Sequence, residues 1–286
     1  NNRYPRAYQY PNWHRITMDH YAIHSAHSVM PTRWTSSRRH VPSSQRCAPA
    51  LLQHKTARQA GHHKLVAQAA LSETALKLHY FGFPGRAEAS RLCLTVGSVP
   101  YEEVIYTRET WPEHKGQMPF GQVPVLEMED GKMLAESLAI ERYAAKLAGL
   151  YPEDPLKAAL ADQAAFLSDI WEVFAHTIYM PLAQKIAVRR ELLVTKIAPK
   201  LQNLTKLLET SDEYVAGDKL SYGDIVVFVS LSSLISGILP GVPRDLLEDY
   251  PVLKAYRNRI ASIPAIKEFY EKRGEGFRAA FKPDAA

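Results

Sequence analysis

Cysteine, histidine and tyrosine are the residue types in this sequence whose numbers and spacing could support chemistry. The two cysteines, Cys47 and Cys93, lie in regions of different composition, so we expect no disulfide framework and a reducing compartment. No spacing of Cys and His indicates a zinc site. Cys93 lies on the apolar face of a predicted helix, where a buried structural thiol is expected. With 15 tyrosines in the chain, an arbitrary tyrosine is expected to be structural.

Residues 75–106 predict a β-α-β unit. Apolar and polar side chains alternate at 76–80, which is the period of a strand, and a second strand is predicted at 101–106. Between them, residues 86–96 have the apolar spacing of a helix, with Gly97 as its stop. We therefore expect two parallel strands joined by a right-handed crossover.

Residues 123–151 predict a β-hairpin followed by a helix. The first strand is expected at 123–128, and a turn at 129–132 leads into a short strand that ends at Leu134. A helix is expected at 137–147. Its predicted core-facing residues are Leu138, Tyr143 and Leu147.

Strand patterns disappear after the proline-containing linker that begins at Tyr151, so residues 155–286 are predicted to form an all-α domain. The predicted helices span residues 156–179, 190–209, 224–236, 252–260 and 265–272. Ser221 and Asp224 have the spacing of a capping box at the start of one of these helices. We interpret Asp224 as structural, and its replacement by Ala is expected to cost about 1 kcal/mol.

Residues 1–73 form a basic leader with a composition of their own. Residues 1–72 contain ten Lys and Arg against one acid, a charge of +9, so the remainder carries −4 of the total +5. The sequence pI near 9.0 therefore does not indicate nucleic-acid binding by the rest of the chain. We expect a disordered transit peptide for a plastid or mitochondrion. Translation would start at Met18 or Met30, so the residues before that methionine would be untranslated upstream sequence. A plain disordered tail on a cytoplasmic protein is the alternative, and a nucleic-acid-binding arm has little support beyond charge.

No apolar run reaches the roughly 20 residues that a membrane-spanning helix needs, so we expect no membrane insertion. Three motifs follow one another in the body of the chain: KLHYFGFPGRAE at 77–88, WPEHKGQMPFGQVPVLE at 111–127 and ESLAIERYAAKLAGLY at 136–151. Together they resemble the cytosolic-type glutathione S-transferases, most nearly the sigma class and its tyrosine-using mu, pi and alpha relatives.

This resemblance implies a thioredoxin-like α/β domain at residues 74–151, an all-α domain at 155–286, a homodimer, and glutathione as co-substrate without a metal. It also implies that Tyr80 is the catalytic residue that hydrogen-bonds to the thiolate of glutathione, with Arg86 as electrostatic support.

The remaining glutathione-binding residues are also implied by the resemblance. Trp111 and Lys115 would hold the glycine carboxylate. The backbone of Val123 would pair with the cysteinyl amide, with Pro124 as a cis proline.

The γ-glutamyl end would face Gln122, Glu136 and Ser137, the last at a helix N-terminus that favours a carboxylate. Glu136 departs from the family pattern, which usually has Gln, and it adds a negative charge beside a carboxylate. Asp169 matches the acid that reaches across the dimer interface to the γ-glutamyl ammonium. Asp162, seven residues earlier on nearly the same helical face, leaves that assignment open.

The expected function is transfer of the glutathione thiolate to hydrophobic electrophiles, with reduction of organic hydroperoxides as a further activity. The electrophile would bind in an apolar pocket that includes Phe81. A glutathione-dependent isomerase of the prostaglandin D synthase type is an alternative that shares the same thiolate. A non-catalytic ligand-binding member of the family is another, but none of the tyrosine, tryptophan and proline motifs is lost.

Overall fold

The computed structural model describes residues 76–284. The basic leader and its predicted targeting role lie outside the described residues. Within residues 76–284, no helix combines the length and the apolar character that crossing a membrane requires.

A sheet of four strands in the order β2-β1-β3-β4 forms the first part of the described chain. The strands are β1 (Leu76–Phe81), β2 (Tyr101–Tyr106), β3 (Val125–Glu127) and β4 (Met133–Ala135). β1 and β2 are parallel, with Leu76 opposite Tyr101, whereas β3 pairs antiparallel with both β1 and β4. The predicted β-α-β unit and hairpin are therefore confirmed.

Three α-helices belong to the same part of the chain: α1 (Glu88–Val96), α2 (Trp111–His114) and α3 (Ser137–Leu147). The β-α-β unit followed by two antiparallel strands and α3 is a thioredoxin-like arrangement, as expected. The short α2 follows β2 in a segment that has no strong periodicity in the sequence.

The second part of the described chain is entirely helical. Its helices are α4 (Pro155–Leu167), α5 (Trp171–Phe174), α6 (Leu182–Leu192), α7 (Ala198–Thr210), α8 (Tyr222–Ile235), α9 (Pro251–Ala261) and α10 (Pro264–Arg273). The prediction of one helix over residues 156–179 is wrong, because α4 ends at Leu167 and a new helix begins at Trp171. Asp169 accepts a hydrogen bond from the Trp171 amide at 2.8 Å, which stabilises the start of α5.

Helix α8 lies at the centre of the core, since its residues from Tyr222 to Leu234 are all buried. The predicted capping box is present at its start, with Ser221 and Asp224 each bonded to the other's backbone. Asp224 is fully buried and also accepts hydrogen bonds from the Val215 amide and the Tyr256 hydroxyl. Asp224 therefore joins three segments of the helical domain instead of only capping one helix.

Helix α3 buries a different face from the one predicted. Tyr143 and Leu147 are 36% and 39% exposed, so the prediction that they face the core is wrong. The buried side chains of α3 include Ile140 and Glu141. Glu141 was not expected in the interior, because a carboxyl group is seldom buried without a partner.

Candidate active site

Tyr80 lies near the end of β1 and is 6% exposed. Its hydroxyl oxygen accepts a hydrogen bond from the Arg86 backbone N–H at 3.0 Å. Burial raises the pKa of the Tyr80 phenol above its usual value, and the bond from Arg86 partly opposes that change. The phenol is therefore protonated at neutral pH, and its O–H can donate to a ligand.

Gly85 allows the close approach between the loop after β1 and the Tyr80 ring. Its φ is +53°, in the left-handed region that glycine adopts readily. A Cβ at this position would collide with the Tyr80 hydroxyl and with the ring of Phe83. Glycine is therefore required here by both backbone conformation and space.

Two arginines hold the carbonyl groups of the loop between β1 and α1. Arg91 donates to the carbonyls of Phe81, Phe83 and Pro84 at 3.0 to 3.2 Å. Arg278, from the C-terminal 3₁₀ segment Gly276–Phe281, donates to the carbonyl of Gly82 at 2.9 Å. Both arginines also form ion pairs with the fully buried Glu88.

This network was missed by the sequence analysis. The opposite charges of Glu88 and Arg91, three residues apart inside an apolar helix pattern, are the signal that could have revealed half of it. Nothing in the sequence pattern indicates that Arg278, 190 residues from Glu88, completes it.

The side chain of Arg86 links α3 to the break between α4 and α5. Its Nη1 lies 3.4 Å from Ser137 Oγ and 3.7 Å from Asp169 Oδ2. The structure thus brings together three residues that the sequence analysis assigned to the site. Asp169 lies beyond the end of α4, and in this chain it faces Arg86.

Asp162 has a different environment from Asp169. Its carboxylate forms an ion pair with Arg142 at 2.9 Å and accepts hydrogen bonds from the hydroxyls of Tyr151 and Tyr222. These contacts connect α3, α4 and α8. We therefore interpret Asp162 as structural.

Trp111 and Lys115 lie on the segment after β2. The indole of Trp111 contacts the Phe81 ring, with centroids 5.9 Å apart. Lys115 is exposed, and no ion pair or hydrogen bond engages its ammonium group within residues 76–284. Its side chain lies beside Gly121, where an added Cβ would lie 3.5 Å from Lys115 Cε. Both groups are available to a ligand.

Val123 precedes β3, and its peptide bond to Pro124 is cis, as the resemblance implies. In the described part of the chain, no backbone hydrogen bond uses the N–H or C=O of Val123. Val123 packs on the same small apolar cluster as Phe81 and Trp111. The neighbouring Gln122 is exposed.

Glu136 and Ser137 form the start of α3. Glu136 is exposed and has a φ of +72°, which is uncommon for a residue other than glycine. Its carbonyl accepts from the amides of Ala139 and Ile140, and no backbone group within residues 76–284 accepts from the amides of Ser137 and Leu138 at the helix N-terminus. Strained backbone of this kind is concentrated at functional sites.

Phe81 is half-buried and stacks on Phe83, with ring centroids 5.6 Å apart. It therefore lies between the Tyr80 ring and Trp111. Within residues 76–284, no group of three or more His, Cys, Asp and Glu side chains is arranged to hold a metal ion.

A thioredoxin-like domain followed by a helical domain, with a tyrosine hydroxyl at the end of the first strand, is the architecture of glutathione-dependent transferases. Sequence profiles agree: the glutathione S-transferase N-terminal domain matches residues 76–146, and the C-terminal domain matches residues 168–273.

The chain is 32% identical to hematopoietic prostaglandin D synthase of Gallus gallus, over 69% of this chain and 96% of that protein. It is also 32% identical to glutathione S-transferase 1 of Ascaris suum, with the same coverage. The structure of prostaglandin synthase D of Nilaparvata lugens superposes with a TM-score of 0.63 at 31% identity, over 70% of this chain and 98% of that one. The chain therefore belongs to the glutathione S-transferase family, whose members use glutathione as co-substrate.

Proposed function

We propose that this protein transfers the thiolate of glutathione to hydrophobic electrophiles and that Tyr80 activates the thiol. A free thiol with a pKa near 8.5 is mostly protonated at neutral pH. A hydrogen bond donated to the sulfur favours the thiolate and lowers that pKa. The observation that carries the proposal is the Tyr80 hydroxyl, whose oxygen accepts from Arg86 while its proton is free to point to a ligand.

The rest of the tripeptide would extend along the segments that flank Tyr80. Lys115 and the Trp111 indole would bind the glycine carboxylate, since neither the Lys115 ammonium nor the indole N–H has a hydrogen-bond partner within residues 76–284. The unpaired backbone of Val123, presented by Pro124, would bond to the cysteinyl residue. These assignments are supported by the packing of Trp111 and Val123 on one apolar cluster.

The γ-glutamyl group would bind at the start of α3. Its carboxylate suits the free amide of Ser137 and the guanidinium of Arg86, and its ammonium suits the carboxylates of Glu136 and Asp169. Gln122 is exposed and could donate to the same carboxylate. The positive φ of Glu136 supports this assignment, because it lets the chain turn directly into the helix N-terminus.

In the reaction, the sulfur forms a bond to an electrophilic carbon and a leaving group such as chloride departs with the bonding electrons. The thiol proton leaves to solvent when the thiolate forms. Phe81 would contribute to the apolar pocket that holds the electrophile.

The test measures the turnover of a chlorinated nitroaromatic compound with glutathione by the wild-type protein and by its Tyr80→Phe variant. We expect binding to immobilised glutathione in both proteins and a rate about a hundredfold lower in the variant, because one preorganised donor to an anion is lost. Tyr179→Phe, which removes the hydroxyl of a side chain that is 96% exposed, is the matched control and should keep the wild-type rate. Equal rates for Tyr80→Phe and wild type would show that another group activates the thiol.

A glutathione-dependent isomerase is a second candidate, favoured by the prostaglandin D synthases among the relatives and similar structures. In that reaction the thiolate attacks a peroxide oxygen and later leaves, so Tyr80 would have the same role. Conversion of a prostaglandin endoperoxide, compared with the chlorinated nitroaromatic at equal enzyme concentration, distinguishes the two activities.

We also propose that the protein is a homodimer. Apolar side chains of α3, α4 and the loop before β3 are exposed in the single chain, among them Tyr143, Phe166 and Phe120. Arg142 lies 4.5 Å from the centroid of the Phe166 ring, which places α3 and α4 on one surface. Light scattering that gives the mass of one chain would contradict this proposal.

For the basic leader we propose delivery to a plastid or mitochondrion, on composition alone. A fluorescent fusion that carries residues 30–70 should accumulate in one of these organelles. A diffuse cytosolic signal would contradict the proposal.

A further inference from the structure

A small cavity of about 20 Å³ lies beside the first two turns of α3. Its polar lining comes from Arg86, Ser137, Glu141, Asp169 and Ser230. The volume is enough for about one water molecule. The cavity therefore borders the proposed γ-glutamyl site from inside the protein.

Glu141 is the unusual group of this cavity. It is 6% exposed, and its Oε2 atom has no hydrogen-bond partner among the residues that the structure describes. An ionised carboxylate without a partner is costly to bury, so the group retains its proton. Burial, together with the nearby charge of Asp169, raises the pKa of Glu141 from its usual 4.5 to about 8.

The charges around Glu141 come from several elements. Asp169, from the break after α4, disfavours ionisation, whereas Arg86 and Arg142 favour it. From α1, Cys93 is close enough for Glu141 to contribute to its raised pKa, so that thiol stays neutral. Helix α8 presents the uncharged Ser230. The raised pKa of Glu141 thus reflects burial and Asp169, opposed by two arginines.

Glu141 is also well placed to influence an anion at the helix N-terminus. Ser137 and Glu141 are four residues apart and lie on one face of α3. A negative charge one turn inside the helix opposes the N-terminal dipole that would bind a carboxylate. It would also attract Arg86, whose contacts of 3.4 Å to Ser137 and 3.7 Å to Asp169 are long.

We propose that Glu141 is a positioning residue of the glutathione site. Protonated Glu141 leaves Arg86 and the N-terminus of α3 free to hold the γ-glutamyl carboxylate. Ionised Glu141 weakens glutathione binding. This inference rests on the proposed function. It assigns to the chain a residue that acts on the ligand through Arg86 and the helix, without touching the ligand.

The test compares wild type with Glu141→Gln, a neutral isostere, by calorimetric titration with S-methylglutathione. This probe has no ionisable thiol, and its own ammonium titrates identically in both experiments. Measured from about pH 6.5 to about pH 9.5, wild-type affinity should fall about tenfold more than that of Glu141→Gln. Glu268→Gln, which removes an exposed carboxylate on α10, is the matched control and should follow wild type.

Two outcomes overturn the inference and are distinguishable. Identical pH profiles for wild type and Glu141→Gln refute the role of Glu141 and leave the proposed function intact. Absence of S-methylglutathione binding to wild type at every pH contradicts the proposed function as well. A second measurement needs no variant. The infrared band of a buried protonated carboxyl group should be present in wild type at pH 7 and should disappear above the pKa of about 8. Absence of this band at pH 7 also refutes the inference.

Discussion

Replacement of Glu141 by Gln should make the protein more stable at neutral and alkaline pH. In the unfolded chain this carboxyl ionises near 4.5, whereas in the folded chain its pKa is about 8. Between these values the folded state binds a proton that the unfolded state releases. The free energy of unfolding therefore has its full value below about pH 4.5 and decreases as pH rises through about 8.

The magnitude follows from the interval between the two pKa values. At about 1.4 kcal/mol for each pKa unit, the decrease amounts to about 3 kcal/mol at pH 7 and about 5 kcal/mol above pH 8. Gln at position 141 is neutral at every pH and has nearly the shape of the protonated acid. The variant should thus be more stable than wild type by these amounts at the corresponding pH, and equally stable near pH 4.

Equilibrium unfolding in urea, repeated from about pH 4 to about pH 9, measures the effect as a difference between two proteins. All other titrating groups are shared, so their contributions cancel in that difference. Glu268→Gln, at an exposed position, should differ from wild type by less than about 0.5 kcal/mol across the range.

A difference between wild type and Glu141→Gln that does not change with pH would refute the reasoning. It would show that the buried carboxyl titrates alike in the folded and unfolded chains. The cavity would then admit enough water to solvate the ionised group, and Glu141 could not report on its surroundings.

Two further predictions concern positions that support the fold and the site. Asp224→Ala should lower the free energy of unfolding, measured in urea, by about 3 kcal/mol, because the Val215 amide and the Tyr256 hydroxyl lose their buried acceptor. A decrease in stability no larger than that caused by Asp218→Ala, at an exposed position, would contradict this prediction. Gly85→Ala should lower the free energy of unfolding by about 2 kcal/mol and should also lower kcat/KM. The new methyl group would collide with the Tyr80 hydroxyl, and the backbone conformation at this position is strained for alanine. Wild-type values in both assays would refute this prediction.

The sequence predicts the fold where apolar periodicity is strong and uninterrupted. The period of two in β1, the helical period of α1 and the capping box of α8 all correspond to elements of the structure. The break after Leu167 was not predictable in this way, because apolar side chains continue at helical spacing through it. The side chain of Asp169, which bonds to the Trp171 amide, helps to set that boundary.

The buried face of α3 was mispredicted because hydrophobicity was taken as the measure of burial. Tyr143 and Leu147 are apolar and exposed, whereas Glu141 is acidic and buried. Their exposure supports a partner surface on this side of the helix, and a surface of that kind leaves the same apolar pattern in the sequence as a core. A single sequence cannot separate the two.

Among the candidate site residues, those on one continuous motif are brought together by local structure. Tyr80 and Arg86 are six residues apart, and the backbone of one bonds to the side chain of the other. The choice between Asp162 and Asp169 required tertiary structure, since their spacing places both on one helical face. Asp162 is half-buried, and its contacts with Tyr151 and Tyr222 support a structural role.

Glu136, directly before α3, and Glu141, within it, have opposite consequences for charge at the proposed γ-glutamyl site. Glu136 is exposed, so water and salt screen its charge, and it can accept from an ammonium group without strongly repelling the adjacent carboxylate. Glu141 is buried, where an equal charge would be screened far less. Because Glu141 stays protonated at neutral pH, the cavity presents Arg86 and Asp169 as one positive and one negative group. The γ-glutamyl end carries one carboxylate and one ammonium, so this balance is complementary to it, and a second buried anion would remove the complementarity.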